Sequence, residues 1–104
     1  MKQIISGKTY DTETATEIGN YCNGLGGRDL RNVSESLHIT KKGNYFLAGE
    51  GGPMSKYAEP CGNMTCGGSG IEHFTKKDAL LWCETHDIDA DIIEKYFGDI
   101  IEEA

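Results

Sequence analysis

The sequence lacks a long apolar run and an excess of basic residues. No stretch approaches the roughly 20 apolar residues of a membrane-spanning helix, and the start of the chain lacks the apolar core of a signal peptide. We therefore expect a cytoplasmic protein with no membrane contact. Its 10 basic and 17 acidic residues give a net charge of −7. That balance argues against direct nucleic-acid binding, which needs a basic surface.

The sequence also lacks a complete catalytic motif, so we expect a protein that is not an enzyme. Nothing places a thiol at a helix N-terminus or beside a fixed base. The glycine-rich segment 49–52 lacks the Lys-Ser/Thr of a phosphate-binding loop. His38 and His73 fall in strand-like segments, where exposed polar positions are expected.

Length and glycine content predict one domain spanning residues 1–104. The 14 glycines exceed the usual share of about 7%. They cluster at 24–27, 49–52 and 62–70, which predicts loops at those places. No internal repeat or long linker divides the chain.

The clearest local pattern is a β-hairpin over residues 36–48. Leu37 and Ile39 alternate with polar residues, 41–44 has turn composition, and 45–48 is an apolar return strand. The glycine-rich segment 49–52 is expected to end that strand. It forms either a plain turn or a place where another chain or a ligand approaches the backbone closely.

The remaining segments predict short strands at 2–5, 9–10 and 71–74, with loops at 28–33 and 60–70. A helix is predicted after an Asp11 or Thr12 cap, and a single helical turn at 54–58. Two further helices are predicted near the end, one from Thr75 to His86 with a capping box, and one capped by Asp89 that bears Ile92, Ile93, Tyr96, Phe97 and Ile100. This order predicts an α+β fold in which a small antiparallel sheet with a central hairpin is packed by two or three helices, with a helical C-terminus.

Four side chains have the donor types of a zinc site. They are a loop pair, Cys61 and Cys66, and a helical pair at i and i+3, Cys83 and His86. The loop spacing is longer than in most zinc knuckles, and Cys83 also fits a buried helical face. A Cys61–Cys66 disulfide is sterically feasible but disfavoured in a reducing cytosol. We expect no cofactor, with zinc as the alternative.

Acidic residues are concentrated at the C-terminal end of the chain. Such a surface either keeps a protein soluble or competes with nucleic acid for a basic groove. Tyrosines near the central hairpin are candidate interface anchors. The residues predicted to bind a partner are Tyr45, Glu50, Lys56, Tyr57, Asp89, Asp91 and Glu94.

Several stretches together resemble a family of short proteins carried by phages and conjugative elements of Gram-positive bacteria. The most specific are the KTYDTETA segment at 8–15 and the GEGGPMSKYA segment at 49–58, supported by 42–47, 75–82 and 96–98. Some proteins of this appearance are associated with anti-CRISPR loci. The resemblance implies a counter-defence inhibitor that binds a CRISPR–Cas effector. The alternatives left open are a small regulatory or nucleic-acid-associated accessory protein, with or without zinc, and self-pairing as a homodimer.

Overall fold

The computed structural model describes residues 1–25 and 28–102. Within them the chain forms short strands first and two helices last, which confirms the predicted α+β class. The strands are β1 Lys2–Ile5, β2 Lys8–Asp11, β3 Thr16–Cys22, β4 Val33–Ile39, β5 Tyr45–Gly51, β6 Glu59–Cys61, β7 Met64–Cys66 and β8 Gly68–Phe74. The helices are α1 Lys76–Thr85 and α2 Ala90–Phe97.

An antiparallel sheet in the order β3-β4-β5-β8 forms the centre of the fold. The predicted hairpin is confirmed as β4 and β5, with Leu37 paired to Leu47. However, β5 does not end at the glycine run, because its pairing with β4 and β8 continues to Gly51. The β1–β2 and β6–β7 hairpins form two separate two-stranded sheets.

Each face of the central sheet buries its own apolar cluster, because alternate residues of a strand point to opposite faces. The helix-covered face contains the larger cluster, which is built from Ile18, Leu37, Tyr45, Leu47, Ala79, Trp82, Cys83 and Phe97. The opposite face is partly covered by the β1–β2 hairpin and contains Tyr10, Phe46, Ala48 and Ile71. None of the described helices is long and apolar enough to cross a membrane.

The helix predicted after Asp11 is wrong, because the segment is the edge strand β3. It pairs with β4 from Thr16 to Cys22, with a bulge between Glu17 and Gly19. Glycine and asparagine in this segment are weak helix formers, so pairing with β4 overrides the helical spacing of its apolar residues. Gly19 of this strand also leaves room for the side chain of Ile88, because a Cβ at Gly19 would lie 2.9 Å from Ile88 Cδ1.

Two further predictions near the glycine-rich loops need correction. Residues 60–70 are largely extended, because they form β6, β7 and the start of β8 instead of a loop. Residues 53–57 form turns and not a helical turn. Gly26 and Gly27, which belong to the predicted 24–27 loop, lie outside the described residues.

Both C-terminal helices begin where their capping residues predict. The Thr75 side chain accepts from the Asp78 backbone, and the Asp78 side chain accepts in return from the Thr75 backbone. Asp89 caps α2 by accepting from the Asp91 amide at 2.8 Å. Ile100, which was placed on this helix, lies beyond its end at Phe97.

Candidate functional site

A buried carboxylate, Glu35 on β4, lies at the centre of a polar cluster on the helix-covered face. Its side chain is only 4% exposed. Lys56 Nζ lies 2.7 Å from its Oε2, and the Tyr57 hydroxyl donates to the same oxygen. Trp82 Nε1 donates to Oε1 at 3.4 Å. Both oxygens of the carboxylate therefore have partners, as a buried charge requires.

The electrostatics of this cluster keep Glu35 ionised. Burial raises the pKa of its carboxyl. Hydrogen bonds from Lys56 and Tyr57 and the charge of Lys56 together lower that pKa by more than burial raises it, so the net pKa lies below its usual value. Burial, followed by the hydrogen bond to Glu35, raises the pKa of the Tyr57 hydroxyl. These contacts join β4 to residues 56 and 57 and to α1 through a single carboxylate.

The glycine run on β5 provides the space that this cluster needs. A Cβ at Gly49 would collide with the Tyr57 hydroxyl, and a Cβ at Gly51 would collide with the Ser55 side chain. Residues 53–58 therefore fold back onto their own strand, and Ser55 Oγ donates to the Gly52 carbonyl at 2.7 Å. The close approach predicted at these glycines comes from the same chain. We call this packing of residues 53–58 against Gly49 and Gly51 of β5 the clasp.

The second candidate site is the acidic surface of α2 and its flanking residues. Asp89, Asp91 and Glu94 are exposed. Among residues 1–25 and 28–102, none of these three has a basic nitrogen within 4.0 Å. The same region does contain one ion pair, in which Lys76 Nζ lies 2.7 Å from Asp99 Oδ1.

The net charge of the chain comes entirely from this end. Residues 1–83 contain nine acidic and nine basic residues and are therefore neutral. Residues 84–104 contain eight acidic residues and one basic residue, which accounts for the net charge of −7. Apart from the pair with Asp99, these acids form no ion pair in the described part of the chain, so their field acts on the surroundings.

The predicted partner-binding residues fall in several different environments. Tyr45 is only 7% exposed, and its hydroxyl donates to the Tyr96 carbonyl at 3.4 Å. Its predicted role as an exposed anchor is wrong, because Tyr45 faces the helices and lies in their core. Lys56 and Tyr57 meet at Glu35, while Glu50 is exposed near the end of β5. The three predicted residues of the last helix lie at its cap and along α2.

Glu35 itself was missed as a site residue, although the sequence contains a signal for it. It precedes Leu37 and Ile39 at intervals of two, so it shares their inward-facing side of β4. A charged residue in register with a buried stripe must find partners. Those partners come from Lys56, Tyr57 and Trp82, which the local pattern around β4 does not identify.

The four predicted zinc ligands are not brought together. Cys61 and Cys66 form a disulfide, so the expectation of a reduced pair is wrong. Cys83 is fully buried in the apolar core, where burial raises its pKa to about 11. His86 packs against the rings of Tyr21 and Trp82. The described residues contain no group of three or more His, Cys, Asp or Glu side chains that could hold a metal ion.

His38 is buried, and the expectation that it is exposed is wrong. It is 5% exposed, stacks on Phe46 and lies 2.9 Å from Ser36 Oγ through Nε2. Burial lowers its pKa, which favours the neutral imidazole. Its Nδ1 has no partner among the described residues, whereas a histidine that activates a serine is usually oriented by a carboxylate there.

No family model, no curated protein and no solved structure matches the chain.

Proposed function

We propose that the chain is a non-enzymatic inhibitor from a mobile genetic element, and that it binds the basic nucleic-acid groove of a CRISPR–Cas effector. The acidic C-terminal surface, residues 84–102, makes the contact. The observation that carries the proposal is the charge asymmetry: the first 83 residues are neutral, and the last 21 carry the whole net charge.

The geometry of α2 supports this use of the acidic residues. The helix is held on the core by buried Phe97 and partly buried Ile92 and Ile93, so its charged residues are fixed on the outside. Asp91 and Glu94 are exposed, and in the described part of the chain no basic nitrogen lies within 4.0 Å of either carboxylate. Carboxylates presented in this way imitate the spaced negative charges of a nucleic-acid backbone and steer association with a basic groove.

The class of partner comes from the resemblance of the KTYDTETA and GEGGPMSKYA segments to small proteins of mobile elements. Such a partner implies a cytoplasmic location in a bacterial host cell, which stays a prediction. The alternative is a small regulatory or nucleic-acid-associated accessory protein, with or without zinc. Its zinc-stabilised form has less support, because Cys61 and Cys66 form a disulfide and the described residues bring no three potential ligands together. The described residues supply no observation that favours a homodimer.

Competition with nucleic acid tests the proposal. A labelled duplex is bound to purified CRISPR–Cas effectors, with the guide RNA loaded, and the chain is titrated in while fluorescence anisotropy is recorded. We expect displacement of the duplex, and chain–effector binding that weakens steeply as salt rises from about 50 mM to about 200 mM. Direct binding of the chain to the duplex, or salt-insensitive effector binding, would contradict the proposal.

A further inference from the structure

Two hairpin turns border a cleft of about 430 Å³ on the face of the sheet opposite the helices. One turn joins β1 to β2 through Ser6 and Gly7, whose φ values of 51° and 76° suit a two-residue reversal. The other turn connects the paired strands β4 and β5. The volume of the cleft lies in the range of small-molecule sites. We call it the lysine cleft, and the lining residues that define it here are Lys8, Tyr10, Thr40, Lys41, Lys42 and Asn44.

The charge of the lysine cleft has one sign. Lys8, Lys41 and Lys42 are exposed, and among the described residues that line the cleft there is no Asp or Glu. The ion pairs of residues 1–25 and 28–102 involve other basic residues, so none of these three lysines has a carboxylate within 4.0 Å there. Ammonium groups gathered in a recess focus a positive potential that attracts anions.

A buried hydroxyl in the wall of the cleft has no internal partner. Tyr10 is only 2% exposed, and its ring packs against those of Phe46 and His73. In the described part of the chain the hydroxyls of Tyr45 and Tyr57 donate hydrogen bonds, whereas that of Tyr10 forms none. Because buried polar groups require hydrogen-bond partners, the Tyr10 hydroxyl has an unused donor for a molecule in the cleft.

Other polar groups of the lysine cleft also have donors to spare. Thr40 Oγ1 accepts from the Asn44 backbone amide at 3.0 Å, which leaves the Thr40 hydroxyl proton free to donate. The side-chain amide of Asn44 adds two further N–H donors. Phosphate oxygens are strong acceptors, and lysine is a common partner for them as a point charge. The donor set therefore suits an anionic ligand that carries phosphate.

We propose that the lysine cleft binds a small molecule through two adjacent phosphate groups, which are the shared chemistry of inorganic pyrophosphate and a nucleoside diphosphate. Three lysines provide more positive charge than a single phosphate neutralises, which selects the diphosphate. The hydroxyls of Tyr10 and Thr40 donate to its oxygens. This binding goes beyond the proposed function and does not depend on it, because the cleft and the acidic surface of α2 lie on opposite faces of the sheet.

Calorimetric titration of the full chain with inorganic pyrophosphate at about 50 mM salt tests the site. The variant Lys41→Gln/Lys42→Gln is compared with Lys77→Gln/Lys95→Gln, whose exposed lysines lie outside the cleft and whose change in net charge is the same. We expect one pyrophosphate per chain, an affinity at least about tenfold lower in the cleft variant, and wild-type affinity in the control. Tyr10→Phe, which keeps the ring, should bind about fivefold more weakly than wild type.

Two results would overturn the proposal: no saturable binding of pyrophosphate to wild type, or equal losses in the two double variants. Adenosine 5′-diphosphate and adenosine then identify the source of the phosphates. Tighter binding of the diphosphate than of pyrophosphate supports a nucleotide, equal or weaker binding supports pyrophosphate, and adenosine binding as tightly as its diphosphate overturns phosphate recognition.

A labelled DNA duplex is the remaining probe. Duplex binding that the cleft variant loses would assign the cleft to nucleic acid and overturn the small-molecule site. The pyrophosphate titrations contain no effector, so a failure to bind pyrophosphate leaves the proposed function standing. Failure of every effector to bind the chain likewise leaves the lysine cleft standing.

Discussion

Two groups of carboxylates in this chain have opposite environments. Glu35 is buried on β4, and both of its oxygens are occupied by Lys56, Tyr57 and Trp82. Asp91 and Glu94 are exposed on α2 and have no basic partner in the described part of the chain. A paired buried charge contributes to a unique internal arrangement, whereas unpaired exposed charges act on other molecules.

The comparison also distinguishes two segments, GEGGPMSKYA and the acidic C-terminal segment, by the contacts that their side chains make. The GEGGPMSKYA segment, although the most specific in the sequence, is used largely inside the molecule, because its glycines admit Ser55 and Tyr57 and its Lys56 pairs with Glu35. The acidic segment has no distinctive motif, yet it carries the net charge. A specific sequence pattern therefore indicates a packing requirement here, whereas the charge distribution is the basis of the proposed binding surface.

The largest effect is expected from Glu35→Ala. The substitution leaves the Tyr57 hydroxyl and the Trp82 indole without their acceptor and removes the partner of Lys56, so we expect a loss of about 3 kcal/mol in the free energy of unfolding. Urea denaturation of the variant and of wild type measures this loss. The matched exposed substitution, Glu59→Ala, should change stability by less than about 0.5 kcal/mol. Equal losses in the two variants would contradict the distinction between the two environments.

A somewhat smaller loss is expected from Gly49→Ala. The new methyl group occupies the position of the Tyr57 hydroxyl and forces that side chain away from Glu35, which should cost about 2 kcal/mol. Gly70→Ala is the control, since nothing lies within 4 Å of a Cβ at Gly70. Tyrosine fluorescence and denaturation together report the displacement. A stable Gly49→Ala protein with Tyr57 still bound to Glu35 would show that the glycine is not required for the clasp.

The Glu35 cluster should also make stability depend on pH. The pKa of Glu35 is lower in the folded chain than its ordinary value of 4.5, so its contribution is fully present above pH 4.5 and is lost as the pH falls through the folded pKa. Thermal unfolding from pH 7 to pH 3 should therefore show a loss in wild type that is smaller in Glu35→Gln. The same acid dependence in both proteins would assign the loss to other carboxyl groups.

The smallest effect is expected from Lys56→Met. The Lys56 side chain is 56% exposed, so water screens its charge, but the Glu35 side chain is only 4% exposed and loses its one ion-pair partner in the described part of the chain. We therefore expect a loss of about 1 kcal/mol, larger than that of a surface ion pair and smaller than that of Glu35→Ala. Tyr57 and Trp82 still bind the carboxylate in this variant. Denaturation measured beside Glu35→Ala tests the order of the two effects. A loss from Lys56→Met as large as that from Glu35→Ala would mean that the ion pair alone holds the cluster.

The sequence predicted those parts of the fold that depend on local signals. The alternation around Leu37, the capping box at Thr75 and the Asp89 cap each lie within a few residues of the structure they specify. The strand β3 was mispredicted because its conformation depends on pairing with β4. That strand begins 11 residues after β3 ends, so no local pattern in the sequence shows the pairing. The Glu35 cluster could be predicted only in part, since its partners are 21, 22 and 47 residues away.

The central claim is that the unpaired carboxylates of α2 form the binding surface. The most direct measurement compares two double neutralisations, Asp91→Asn/Glu94→Gln on α2 and Glu13→Gln/Glu72→Gln in the neutral part of the chain, for affinity to a purified CRISPR–Cas effector and for the free energy of unfolding. All four residues are exposed, and Asp89 is left intact because it caps α2. We predict that the α2 variant loses about tenfold in affinity with little change in stability, while the control keeps both. Equal affinities for the two variants would contradict the claim.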